Sequence, residues 1–186
     1  MQSLLAEPVY VSVASEPDTI PKIDQKLLFV DREHKTSFLM RLLEDGSISR
    51  APVFTRTKHQ ANRLAFRLSK GRIGTDSIHG DKSQTAREKA LAGFYSGRIP
   101  VLVAIDIAAC GIDVDDISHA INFEMPNEPQ SYVHHIGRTA RAGKAGRALS
   151  FCDATEGGYL LEFERLLRQS VPVLTGGRRT PRGGMF

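Results

Sequence analysis

The chain has 186 residues, 41% hydrophobic and 25% charged, with 25 Lys+Arg against 21 Asp+Glu and a net charge of +4. That is the size and balance of one globular domain with a proper core, and the mild basic excess permits a nucleic-acid partner without demanding one. No apolar run approaches the roughly 20 residues of a membrane span, and the two cysteines, Cys110 and Cys152, have no metal-ligand spacing.

In chain order, "VYVSV" (Val9–Val13) and "QKLLFV" (Gln25–Val30) read as strands. A helix follows through "EHKTSFLMRLLEDG", with Phe38, Leu39, Leu42 and Leu43 at helical spacing and Gly46 as its stop. "APVFT" (Ala51–Thr55) reads as a buried strand, "KHQANRLAFRLSKG" as a helix, and "TDSIHG" as a short strand and turn. Ser83 can cap a helix that runs to Gly97. "IPVLVAID" (Ile99–Asp106) is apolar on both faces, as a central parallel strand should be.

"ISHAINFEMP" is the next strand. "NEPQSYVHHIGRTAR" is expected as one helix, capped by Asn127 with Pro129 in its first turn. "GRALSFC" is a strand, and the pattern Asp153-x-x-Glu156 opens a final amphipathic helix. Strand and helix alternate throughout, which argues for a doubly wound α/β sheet. Ligands of such sheets meet the loops at the carboxyl ends of the strands, here "TRTK", "HGDKSQ", "DIAACGIDVDD" and "MPNEPQ".

Three constellations sit on those loops. On the expected helix His134, Arg138 and Arg141 fall at i, i+4 and i+7, while Tyr132, Val133, Ile136 and Ala140 take the other side. The polar face is either a solvated basic surface or a grip on phosphate oxygens, for which forked guanidiniums suit. In "DIAACGIDVDD", Asp106 can cap a turn, Gly111 permits a bend, and Asp113 is either a turn residue or a ribose acceptor. In "HGDKSQTAR", Gln84 and Arg87 stand beside free helix-start N–H groups, which suits a phosphodiester or simple capping. "GRTARAGKA" is not a P-loop, because its glycines are one residue too far apart and Ala145 replaces the magnesium-binding hydroxyl.

"VFTRTKHQANRLA", "IHGDKSQTAREKAL", "VLVAIDIAACGIDV" and "YVHHIGRTARAGKAGRALSF" occur in order, and together they resemble the second RecA-like domain of a bacterial DEAD-box RNA helicase, close to the RhlE-like branch. The resemblance implies a three-layer RecA-like α/β domain over residues 21–170, an interdomain linker and first strand over 1–20, and a Gly/Arg-rich flexible tail over 171–186. It implies arginine fingers at Arg138 and Arg141, and a nucleotide neighbourhood at Asp113, Gly111 and His134. RNA-backbone contacts would fall at Gln84, Arg87, Thr57 and Asp106. The P-loop and D-E-A-D box of the family belong to a first domain, so ATP and magnesium are expected only when that partner domain is present. No metal of its own and no membrane partner are expected.

The opening "MQSLLAEPVY" lacks a signal-peptide pattern, and the thiols read as reduced, so a cytoplasmic location is expected. Departures from the family are Ile105 for Thr, Cys110 for Arg, His135 for Arg and Ala140 for Gly, with Pro52 set in an expected central strand. They keep two further readings open: a non-catalytic RNA-binding module, or a degenerate helicase remnant.

Overall fold

The computed structural model describes residues 23–105, 116–139, 146–168 and 170–174. In chain order they form β1 (Ile23–Phe29), α1 (Lys35–Glu44), β2 (Ala51–Phe54), α2 (Lys58–Lys70), β3 (Thr75–Ile78), α3 (Gln84–Tyr95) and β4 (Val101–Ala104). There follow β5 (Ala120–Asn122), α4 (Pro129–Ile136), β6 (Gly146–Cys152) and α5 (Gly157–Leu167). The strands make one parallel sheet in the order β1-β6-β5-β2-β4-β3.

Side-chain alternation along each strand divides the core between two faces. Ala51 and Val53 of β2, with Val101 and Val103 of β4, face α1 and α2 and meet Leu39, Leu64 and Leu68. Phe54, Leu102 and Ala104 point the other way, onto Ala90 and Phe94 of α3. On that second face Leu27 and Ala148 meet Tyr132 and Ile136 of α4 and Phe163 of α5. The result is the expected three-layer α/β domain. Val9–Val13, the first expected strand, lies outside the described residues.

Pro52 is buried within β2, as its sequence context required. Ala51 and Thr55 donate their N–H groups to Pro100 and Ala104 on the β4 side. Alternation turns the residue-52 nitrogen toward β5, where pairing with β2 starts only at Val53 with Ile121. The ring therefore sits just beyond the end of that ladder and removes no bond to β4.

Three local expectations are corrected. Asn127 does not cap α4: the N-cap is Glu128, in extended conformation (φ −117°, ψ 133°), with Pro129 at the first helical position. A residue before proline is driven out of the α region, which delays the helix by one residue. Nor does α4 continue to Arg141. It ends at Ile136 with Gly137 as C-cap. Beyond it the Thr139 hydroxyl donates to the Ile117 carbonyl (3.3 Å) and accepts from the Arg147 N–H (3.0 Å), which ties the chain back to the sheet. The third correction is at α5, whose N-cap is Glu156 rather than Asp153. Asp153 Oδ1 is taken by the Thr155 N–H (2.9 Å) and hydroxyl (2.6 Å), a turn of its own.

At the other end of the domain, Val171 is buried and the chain runs beside β1. Leu27 donates to Pro172 and accepts from Leu174, both at 2.8 Å. Residues 171–174, which composition assigns to the tail, thus pack on the free edge of the sheet.

Candidate functional site

All the described candidate residues lie on or just after segments leaving the carboxyl edge of the sheet. Thr57 ends the β2–α2 loop and caps α2, its hydroxyl accepting the Gln60 N–H at 3.2 Å. Ser83 does the same for α3, accepting the Ala86 N–H at 3.3 Å. Two helix starts therefore open on one edge, and each retains further first-turn N–H donors. On α3, Arg87 Nη1 donates to Gln84 Oε1 at 3.4 Å, and Gln84 Nε2 donates to Glu88 at 2.8 Å. Gln84 is exposed and Arg87 half-buried, so the pair is held side by side at the helix start.

The loop before α3 is tethered at several points. Lys82 pairs with Asp76 at 2.7 Å, and Lys58 of α2 pairs with Asp81. The Lys58 contact holds the Asp81 carboxyl below its usual range. His79, buried at the end of β3, reaches Asn62 Oδ1 with Nε2 at 3.0 Å, and the Ser77 hydroxyl donates to that same oxygen at 2.8 Å. Burial first, and then Lys82, push the His79 imidazole below its ordinary value, so it is neutral at pH 7.

A cleft of about 190 Å³ lies between the ends of β2, β4 and β5, lined among others by Ile105, Arg56, Glu124, Asn127, Ser131 and His135. His135 is 2% exposed and stacks on Phe54, with ring centroids 3.9 Å apart and planes 12° from parallel. Its Nδ1 meets Asn122 Oδ1 at 2.9 Å, and Asn122 in turn donates to Ser150 at 3.1 Å. Ile105 is half-buried against the core and presents a hydrocarbon wall where the resemblance had implied a hydroxyl.

Beneath the cleft lies a charge network that the sequence reading missed. Lys35 of α1 is 1% exposed and reaches Glu156 Oε2 at 2.5 Å and Asp153 Oδ2 at 3.2 Å. Glu156 also accepts the N–H groups of Met125 and Asp153, both at 3.1 Å, and faces Arg56 at 3.4 Å. Arg56 goes on to Glu124 and lies over the Tyr159 ring. Burial opposes ionisation of Asp153, but the Thr155 hydrogen bonds and Lys35 outweigh it and hold the carboxyl below its usual range. One signal was available: Lys35 stands four residues before Leu39, on the apolar stripe of α1, where a lysine has to find buried acids.

His134 is exposed on α4, and Arg138 is half-buried in the turn that follows. The expected single face of His134, Arg138 and Arg141 is not a helix face, because α4 stops before Arg138. Asp106, Gly111, Asp113 and Arg141 lie outside the described residues, as do Cys110 and Ala140. Within the cleft the lining arginine, Arg56, is already neutralised by Glu124 and Glu156. The described residues alone thus do not make a triphosphate cradle.

Residues 34–143 match the helicase conserved C-terminal domain. The chain belongs to this family. It is 40% identical over 170 residues to the DEAD-box ATP-dependent RNA helicase CshA of Geobacillus kaustophilus, an alignment covering 91% of this chain and 36% of that protein. The chain spans about a third of the length of the curated relatives it matches. Among solved structures, E. coli DEAD-box protein SrmB, bound to the regulator of ribonuclease activity RraA, superposes with a TM-score of 0.80 at 36% identity, over 87% of this chain and 99% of that one. S. cerevisiae Dbp5, bound to RNA and ADP BeF3, superposes with a TM-score of 0.74 at 28% identity, over 82% of this chain and 42% of that one. The fold is therefore the RecA-like fold of helicase C-terminal domains, of the DEAD-box RNA helicase type.

Proposed function

We propose that this domain acts as the second half of an ATP-dependent RNA helicase. It offers an RNA-backbone surface at Thr57, Gln84 and Arg87, extended by Asp106. Arg138 and Arg141 reach as fingers toward ATP and magnesium carried by a first RecA-like domain, with Gly111, Asp113 and His134 near the nucleotide. Guanidiniums placed there offset charge that develops on the transferred phosphoryl group. Alone the domain binds no nucleotide tightly and hydrolyses none, in keeping with the acid-paired Arg56 of its cleft.

The observation that carries the RNA part is the meeting of two capped helix starts with the Gln84–Arg87 pair on one sheet edge. Such donors read phosphate and sugar, so little sequence preference is expected. Within the family, "HGDKSQTAREKAL" and "HHIGRTARAGKAG" support a bacterial, RhlE-like placement. A cytoplasmic setting is part of the same proposal and draws on the sequence alone.

Titration of the chain with fluorescent single-stranded RNA at rising salt tests the RNA surface. Salt-sensitive binding that Arg87→Ala weakens supports it, and a folded chain that binds no RNA at low salt removes it. Addition of the first domain of a close relative tests the fingers: RNA-stimulated ATP hydrolysis should appear, and Arg138→Ala should abolish it. A second reading, an RNA-binding module or helicase remnant without catalytic coupling, draws on Ile105 in the cleft wall and on the stacked, buried His135 where the family carries arginine. A reconstituted pair that binds RNA but never hydrolyses ATP would favour it.

A further inference from the structure

Helix α2 carries cations and no acids. Its sequence, KHQANRLAFRLSK, holds Lys58, Arg63, Arg67 and Lys70, and contains neither Asp nor Glu. Ala61, Leu64, Ala65 and Leu68 are buried against the sheet, so the charges occupy the outer face. Two of the four are engaged: Lys58 with Asp81, and Lys70 over the ring of Phe66 at 4.7 Å. The guanidiniums of Arg63 and Arg67, one turn apart, have no hydrogen-bond or ion-pair partner among the described residues. Like charges at this spacing repel and weaken a helix. The apolar stripe would dock equally well with neutral residues at both positions, so folding does not require the pair.

Both arginines line a groove of about 700 Å³ between α2 and the start of α1. Gln60 joins them on the α2 side, while Asp31, Arg32, Glu33 and Thr36 form the α1 side. Phe66 is 61% exposed between the two arginines in sequence. Unpaired guanidiniums beside an exposed aromatic are the makings of a single-stranded nucleic-acid surface. The face also joins the RNA surface described above, because Thr57 is the N-cap of α2. On the α1 side the two carboxylates of Asp31 and Glu33 outnumber the one guanidinium of Arg32, so the cationic wall of the groove is α2.

We propose that the outer face of α2 is a second RNA-backbone track, on which Arg63 and Arg67 each take one phosphate of a strand leaving the Thr57, Gln84 and Arg87 surface. The proposal rests on the RNA reading above, and its test separates the two. The full chain is titrated with fluorescent oligouridylates of about 6 and about 20 nucleotides over a range of salt. Arg63→Gln/Arg67→Gln should leave the short RNA unaffected and weaken the long one about ten-fold. Its log–log salt slope for the long RNA should fall by about 1.4, which is ~0.7 per lost phosphate contact on a single strand. The urea midpoint should stay the same or rise, since a repulsion has been removed.

An unchanged slope on the long RNA overturns the proposal. So does a variant that keeps its RNA slope but loses binding of a deca-glutamate peptide, which would make the face a protein-docking surface. Arg87→Ala, run in parallel, tells the failures apart. If it weakens RNA binding while the α2 variant does not, only the second track is lost. If the wild-type chain binds neither RNA, the whole RNA reading falls.

Discussion

The buried ion cluster around Lys35 gives the sharpest test of how this domain is held together. In Lys35→Met the stem remains and the ammonium goes, leaving Glu156, 0% exposed, without its 2.5 Å partner and Asp153 without its 3.2 Å one. Removing one member of a buried pair typically costs about 3–5 kcal/mol, because the other charge stays desolvated. Here Glu156 keeps two backbone N–H donors at 3.1 Å and Arg56 at 3.4 Å, which places the expected loss near the lower end, about 3 kcal/mol. Against a total stability of about 5–15 kcal/mol that is a large fraction. Urea unfolding followed by far-ultraviolet circular dichroism reads it directly, since the chain has no tryptophan.

The paired variant Lys35→Met/Glu156→Gln sharpens the argument. With neither charge left in the core, it should recover about 1–3 kcal/mol relative to the sum of the two single losses. Acid titration supplies an independent check. Asp153 has a depressed folded pKa, so its contribution is present above the unfolded carboxylate value of about 3.9 and is lost as pH falls through the lower folded one. Lys35→Met should shrink that acid-side loss. A single variant less than about 1 kcal/mol below wild type, or a pair whose losses simply add, would refute the reading of these groups as mutually dependent and dry.

Other outcomes follow from single contacts. His79 and His119 are both pushed below the ordinary imidazole value, first by burial and then by Lys82 and Arg147 respectively. The unfolded chain therefore binds protons first, and stability should decline as pH drops below about 6.5 toward the folded values. His79→Gln/His119→Asn, which keeps one hydrogen-bonding atom of each ring, should flatten urea midpoints measured between about pH 7.5 and 5.5. Thr57→Ala and Ser83→Ala should each cost about 1 kcal/mol by removing an N-cap acceptor, and Thr57→Ser should restore most of it. Ile105→Thr returns a hydroxyl to the cleft wall; RNA affinity should rise several-fold in the salt titration, and no change would mean that position does not meet RNA.

Most of the layering was legible because strand burial writes itself into composition. Val101–Ala104 is apolar at every position and proves to lie between β2 and β3, buried on both faces. The helix start at Ser83 was legible for a local reason, since a hydroxyl cap acts over three residues; Thr57 caps α2 in the same way but had been read only as an RNA contact. What misled were patterns whose tertiary competitors cannot be seen in one segment. The i, i+4, i+7 spacing of His134, Arg138 and Arg141 looks helical, yet Thr139 finds better partners in Ile117 and Arg147, and the helix yields. Asp153-x-x-Glu156 looks like a capping box, and half of it forms, with Glu156 accepting the Asp153 N–H. But Glu156 is drawn inward by a lysine 121 positions away, and no local rule contains that lysine.

That long-range pull has a consequence for the site. The network joins the start of α1, the β2–α2 loop, the β5–α4 loop and the start of α5, through Lys35, Arg56, Glu124 and Glu156. All four segments leave the carboxyl edge on which Thr57 and the cleft stand. Apolar packing positions the sheet and the helix bodies, but it is non-directional and leaves loop ends free to slide. Charged hydrogen bonds with fixed geometry do not. A neutral core of similar volume at Lys35 and Glu156 could match the present stability, as replacements of buried ion pairs often do. With glutamine at 156 a single carbonyl oxygen remains for the Met125 and Asp153 N–H groups, which now take one carboxylate oxygen each. Arg56 is left with Glu124 as its only ionic partner among the described residues. The paired variant should therefore keep much of its stability while weakening whatever the cleft and the Thr57 loop bind, and that separation of the two readouts is what distinguishes a positioning network from a merely stabilising one.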